Sequence, residues 1–293
     1  MFACDRRQRR TVMAIKDILL HLDPATDMEA DISAAIGIAE TNDAHLAALY
    51  TAASMPAWPA YTYAGLPGDV LDTIESHEAR AAEDIRATYE KAIGRSSLSV
   101  DFRHTRVYSA EVAETVARHA RHADLLVMGQ SKPDEPRAGG AEVVEEAVLG
   151  AGRPVLVLPY VGNRKSMGTN VIVGWDGSRE AARALNDALP FMKNAKTVHV
   201  MIVNPDANAA NYSELPGADI SLHLARHGLK VDLITEKASG IDPANLILSR
   251  ASDIGADLLV MGAFGHSRIR ESLFGGVSRS ILRQMTLPVL MSH

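Results

Sequence analysis

Cysteine is almost absent: Cys4 is the one thiol in 293 residues. A single sulfur excludes an intrachain disulfide framework, a CxxC redox pair and a multi-cysteine zinc site, and it fits a reducing cytoplasm. Long apolar runs are missing too; none approaches the ~18 residues of a membrane span. Nor is there a surplus of positive charge. Lys and Arg number 30 against 36 Asp and Glu, a formal net charge of -6, so no basic surface advertises nucleic acid or anionic lipid. A GxxxxGK[ST] loop is absent, and no GxGxxG follows a first strand, which disfavours a P-loop or a dinucleotide fold. The composition itself, 47% apolar and 23% charged, is that of a globular protein of one or two domains. Residues 1–10 carry four Arg against one Asp, and Lys16 and Asp17 interrupt the apolar stretch a secretory signal would need next. The expectation is a floppy arm, or an extension ahead of Met13, rather than such a signal.

Self-similarity dominates what is present. Ala123-Asp124-Leu125-Leu126-Val127-Met128-Gly129 recurs letter for letter at 256–262. Arg153-Pro154-Val155-Leu156 matches Leu287-Pro288-Val289-Leu290, and the apolar run ending in Asp23 matches the run ending in Asp176. A period of 130–150 residues is too long for a solenoid and reads as two copies of one domain. The polar, glycine-bounded stretch 162–168 is the linker, giving domains at 14–160 and 168–293.

Strands and helices alternate in each copy. In the second, strands are expected at 171–174, 198–203, 229–235, 258–261 and 288–291. Ser178 should cap the first helix, whose shared face holds Ala181, Ala182, Leu185 and Leu189. Gly228 should stop a second helix, Pro243 start a third, and 277–283 form a short fourth. The pattern predicts an α/β fold: two tandem open-sheet domains, each a five-stranded parallel sheet with helices on both faces, Rossmann-like. The first copy inserts a Pro-, Ala- and Tyr-rich loop over 51–68.

Ligands bind beyond the carboxyl ends of such strands. There the second copy has Gly262-Ala263-Phe264-Gly265, then nine residues, then Gly275-Gly276-Val277-Ser278 opening a helix. Glycines let backbone N–H groups converge on an anion, and a helix N-terminus adds donors and partial positive charge. Arg268, Arg270 and Arg279 add positive charge nearby. Spacing alone leaves a phosphate cradle and a plain turn both open.

The pattern Gly262-x2-Gly265-x9-Gly275, with its surrounding string 260–268, resembles the nucleotide-binding signature of the universal stress protein superfamily. The resemblance covers nearly the whole chain as two tandem copies. It implies that Asp176 and the Val203 backbone meet adenosine, that Met261 and Gly262 lie along the ribose, and that Gly265, Gly275, Gly276, Val277 and Ser278 hold the phosphates of ATP, with Mg. Gly276 departs from the family's frequent Ser or Thr. The first copy departs further: Lys132 stands at the second glycine, Pro133 and Pro136 stiffen the loop, and Glu142, Glu145 and Glu146 either oppose a triphosphate or form a solvated helix face. A degenerate first site is expected.

His119 and His122, three apart on one helix, read as solvated rather than as a zinc pair. His266 and Ser267 read as loop packing or phosphate contact; Trp175 either lines the pocket or is structural. The resemblance implies a cytoplasmic, non-enzymatic stress-response regulator that binds adenine nucleotide and protein partners. Its two copies would pair as a pseudo-dimer through the apolar strands around Leu156 and Leu290. The alternatives are a nucleotide-independent interaction module, a weak ATPase using Asp176 or His266, or an adenylate-handling enzyme; for the last, the HxGH and SGGxDS loops are lacking.

Overall fold

The computed structural model describes residues 14–54, 68–94, 96–132, 140–162, 164, 166–206, 215–263 and 276–293. The first half supplies β1 (Asp17–Leu22), α1 (Met28–Asn42), β2 (His45–Ser54), α2 (Gly68–Ile93), β3 (Val100–Tyr108), a 3-10 turn at Ser109–Glu111, α3 (Val112–Ala120), β4 (Leu125–Gly129), α4 (Gly140–Gly150) and β5 (Val155–Leu158). The second supplies β6 (Asn170–Gly174), α5 (Arg179–Met192), β7 (Thr197–Val203), α6 (Ala218–Arg226), β8 (Val231–Glu236), α7 (Pro243–Asp253), β9 (Leu258–Gly262), α8 (Gly276–Gln284) and β10 (Val289–Ser292).

The strands form one ten-stranded sheet in the order β3-β2-β1-β4-β5-β10-β9-β6-β7-β8. Both halves therefore repeat one topology. Every pairing is parallel except β5 with β10, which run antiparallel with Leu156 opposite Leu290, Val157 opposite Val289 and Val155 opposite Met291. Leu156 and Leu290 are counterparts in the sequence repeat, so a local two-fold axis passes through that pair.

The core lies on both faces of the sheet. One face is covered by α1, α2, α5 and α6 through residues such as Ile32, Tyr89, Leu185 and Leu224. The other is covered by α3, α4, α7 and α8 through Val116, Ala147, Ile247 and Ile281. Double coverage explains the continuous burial of β1, β4 and β9, which no period-2 pattern interrupts; His21 is the polar residue inside the buried run of β1. Edge strands β3 and β8 alternate between half-buried and exposed instead.

Local signals behave as their chemistry dictates. Ser178 Oγ accepts from Ala181 N at 3.1 Å and Asp242 Oδ1 from Ala244 N at 3.0 Å, capping α5 and α7. The buried face of α5 is Ala181, Ala184, Leu185, Ala188 and Met192, so Ala182 and Leu189 stand only half-buried at its margin. Gly228 adopts φ +83° behind α6. Leu229 N still donates back to Leu224 O at 3.3 Å, which delays β8 to Val231. β2 continues to Ser54; most of the loop expected over 51–68 lies outside the described residues.

Candidate functional site

In the second half the chain leaves β6 for β7 on one side and returns through β9 on the other. Their carboxyl ends bound the crevice where an open parallel sheet binds ligands. Gly174 pairs with Met261, so Asp176 and Gly262 emerge on its two sides. Asp176 Oδ1 accepts from Ser178 N at 2.9 Å across a turn in which Gly177 takes φ +73°. That bond fixes the carboxylate at the entrance to α5. Val203 closes β7, half-buried, and Asn204 turns the chain at φ +52° with its side-chain oxygen accepting from Ala238 N at 2.8 Å.

The two ribose positions differ in what they expose. The Met261 side chain is buried in the core, so only its backbone borders the crevice. Gly262 answers a packing demand: a Cβ there would collide with the backbone of Glu180 and Ala181 in the first turn of α5. Gly276 opens α8, exposed, with no described residue near where a Cβ would stand. Val277 is half-buried and Ser278 buried in the same first turn, whose N–H groups have no partners within the helix. Gly265, Gly275, His266, Ser267, Arg268 and Arg270 lie outside the described residues. Trp175 is half-buried and packs against the core.

The corresponding end of the first half is filled by its own side chains. His21 stands where β6 has Gly174, and its Nε2 lies 3.0 Å from Thr51 Oγ1, the counterpart of Val203. Burial holds that imidazole below its usual pKa, partly offset by Asp23. Asp23 Oδ1 accepts from Ala25 N at 2.9 Å, much as Asp176 does from Ser178. Beside it, Thr26 Oγ1 donates to Asp31 Oδ2 at 2.7 Å, and Arg164 of the linker donates to Asp31 Oδ1 at 3.0 Å. Asp31 is 2% and Arg164 6% exposed, an ion pair enclosed in protein. Burial raises the Asp31 carboxyl to about 6 against the lowering pull of Thr26 and Arg164. Gly129, the counterpart of Gly262, is required here by Asp31 and Thr26, which a Cβ would strike.

Two charge expectations are corrected. Arg279 is not left to a phosphate: its Nε and Nη2 donate to the Glu145 carboxylate at 2.8 and 2.6 Å. Glu145 accordingly faces neither a triphosphate nor solvent, although Glu142 and Glu146 are exposed. Gln130, which follows Gly129, crosses the seam as well. Its Nε2 donates to Leu282 O at 2.8 Å and its Oε1 accepts from Tyr160 N at 3.1 Å. Lys132 is half-buried, its N–H donating to Ala25 O at 3.1 Å. Of the helical histidines, His119 is half-buried and His122 exposed. Among the described residues no three His, Cys, Asp or Glu are grouped to hold a metal, and no helix is long and apolar enough to cross a membrane.

Sequence reasoning missed Asp31, Arg164 and Gln130. One signal was there: Asp31 shares the buried stripe of α1 with Ala35 and Ile38, where an acid needs a partner. Nothing local marks Arg164 as that partner.

Residues 167–293 match the model of the Universal stress protein family. The universal stress protein Slr1230 of Synechocystis is 28% identical over 177 residues, which span 57% of this chain and 57% of that protein. The universal stress protein YxiE of Bacillus subtilis is 29% identical over 43% of this chain and 99% of its own length. Among solved structures, a universal stress protein from Archaeoglobus fulgidus covers 94% of this chain and 97% of its own at TM-score 0.66 and 18% identity. A functionally unknown protein from Pseudomonas aeruginosa covers 95% and 92% at TM-score 0.57 and 18% identity. At those identities the two structures establish the fold alone.

Proposed function

We propose, from the premise that this chain belongs to the universal stress protein superfamily, that it is a cytoplasmic stress-response regulator whose second half binds one adenine nucleotide. The observation that carries this reading is the strand switch point between β6 and β9, with Val203 closing β7, Asp176 following β6 and Gly262 ending β9 at the carboxyl edge of the sheet. In this reading the ligand is ATP, with Mg. Asp176 is a fixed hydrogen-bond acceptor for the adenosine end. At the other end, the N-terminal turn of α8 would point its positive end toward the phosphates, and no described residue stands where a Cβ on Gly276 would be. Bound nucleotide would supply a charged, exchangeable ligand. The chain's own part is to hold it and carry its presence to protein partners. The role is regulatory rather than catalytic.

The first half takes no nucleotide in this reading, because His21, Thr51, Asp31 and Arg164 occupy its crevice. The halves then stand as the two subunits of a dimer would, joined through β5 and β10. Isothermal calorimetry with ATP is expected to give about one site per chain. Saturating ATP should raise the melting temperature, by roughly 2.7 kcal/mol of stabilisation at a hundredfold excess over Kd. Asp176→Ala and Gly265→Val should each diminish that ATP-dependent shift. No shift with ATP, ADP or AMP would sink the nucleotide reading in favour of a nucleotide-independent interaction module.

A further inference from the structure

The local two-fold axis through Leu156 and Leu290 relates residue numbers by 134 around the seam. Applied to α8, that offset carries Arg279 onto Glu145. The two sides of this ion pair are therefore counterparts of one another, meeting close to the axis. In a symmetric homodimer a position at the axis meets its own copy, so an acid would face an acid. Fusion of two copies into one chain permits opposite charges there. Glu145 is nearly buried and binds the guanidinium through both oxygens, the strong, planar form of the interaction.

A second contact reaches the other end of the same helix. The last carbonyls of a helix lack internal partners. In α8, which ends at Gln284, the carbonyl of Leu282 receives its donor from Gln130 of the first half. Gln130 is itself buried and held by Tyr160 N. The loop that departs most from the glycine pattern thus supplies the cap of the helix that begins at Gly276.

We propose that the first half is the support for the nucleotide helix of the second, with Glu145 and Gln130 as positioning residues that hold α8 across the seam and so set nucleotide affinity. The affinity clause rests on the nucleotide reading above; the clamp on α8 does not. Neither residue lies in the crevice itself, and they act through Arg279 and Leu282 on the turn that carries Val277 and Ser278.

The test is amide hydrogen exchange across α8 in the full chain, with and without ATP, alongside ATP calorimetry. Glu145→Arg and Gln130→Leu should each speed exchange over 279–284 in the nucleotide-free protein, by about tenfold for the loss of a charge-assisted or buried bond. Both should weaken ATP by a similar factor. The exchanged pair Glu145→Arg with Arg279→Glu should recover α8 protection, which a mere folding defect would not. Unchanged α8 exchange in the single variants, or failure of the exchanged pair to recover it, overturns the clamp. Tighter ATP binding in Glu145→Gln would overturn it too, showing that Glu145 competes with phosphate for Arg279. If the wild-type chain binds no adenine nucleotide, the functional reading fails and the exchange data alone judge the clamp.

Discussion

The two halves share five strands, one strand order and an identical fourth strand, yet the ends of those strands carry different residues. In the second half Gly174 and Val203 leave the end of the sheet without polar side chains, and the turn after β6 is short. In the first, His21 and Thr51 bond across the same positions, and a buried Arg164–Asp31 pair sits beside them. One fold thus carries two different sets of strand-end residues. Strand topology depends on many buried apolar residues, whereas the crevice depends on a few positions that must stay small or polar.

The comparison can be broken most forcefully at the two matching glycines. Gly262→Val should cost roughly 4 kcal/mol, because the obstacle is the backbone of α5 and cannot rotate away. Gly129→Val should cost less, about 2–3 kcal/mol, because the obstacles are the side chains of Thr26 and Asp31 rather than backbone. Urea unfolding of both variants would measure this; equal losses would mean that the two glycines serve one packing role.

Arg164→Met should come next. Stranding a buried acid costs about 3 kcal/mol at pH 7.5. The loss should shrink near pH 5, where Asp31 can take up a proton. A pH-independent loss would show that Arg164 acts through packing.

Asp31→Asn sharpens the contrast further. A carboxyl held at about 6 binds its proton more tightly in the folded than in the unfolded chain. Its contribution is therefore full below about pH 4 and is lost as pH rises through about 6. The stability difference between wild type and variant should move against the wild type by roughly 2 kcal/mol over that interval. Difference curves are needed because His21, His119 and His223 are pushed down by burial, and they cost stability in the opposite direction, toward acid. A flat difference would place the charge of Asp31 in water.

The smallest effect is expected at Gly276→Ser. The position is exposed and open, so stability should change by less than about 0.5 kcal/mol. In the nucleotide reading the new hydroxyl should strengthen ATP by up to about tenfold. Weaker binding would mean that the glycine itself is needed for phosphate approach.

Strand positions and most element bounds were legible because buried parallel strands write continuous apolar runs and their caps use few residue types. Ser178, Asp242 and Gly228 are examples in which local chemistry and final structure agree. Of the candidate site, the positions of Asp176 and Gly262 at strand ends and of Gly276 at the start of a helix were legible in apolar runs and glycines, whereas their roles toward a nucleotide came from the family resemblance alone. Glu145, Gln130 and Arg164 were not. Each finds its partner 130 or more positions away: Glu145 and Gln130 across a seam whose register only the folded sheet reveals, Arg164 on α1, the first helix of the first half. A sequence shows a charge, but not the charge it will meet.

The antiparallel seam between β5 and β10 has a consequence for dilution. When such an edge joins separate subunits, folding and association share one concentration dependence. Here a linker of only a few residues holds the two edges at an effective concentration in the millimolar range. Lowering the protein concentration cannot part them, and the melting temperature should be the same at nanomolar as at micromolar chain. One site per chain would then report on nucleotide alone, undistorted by assembly.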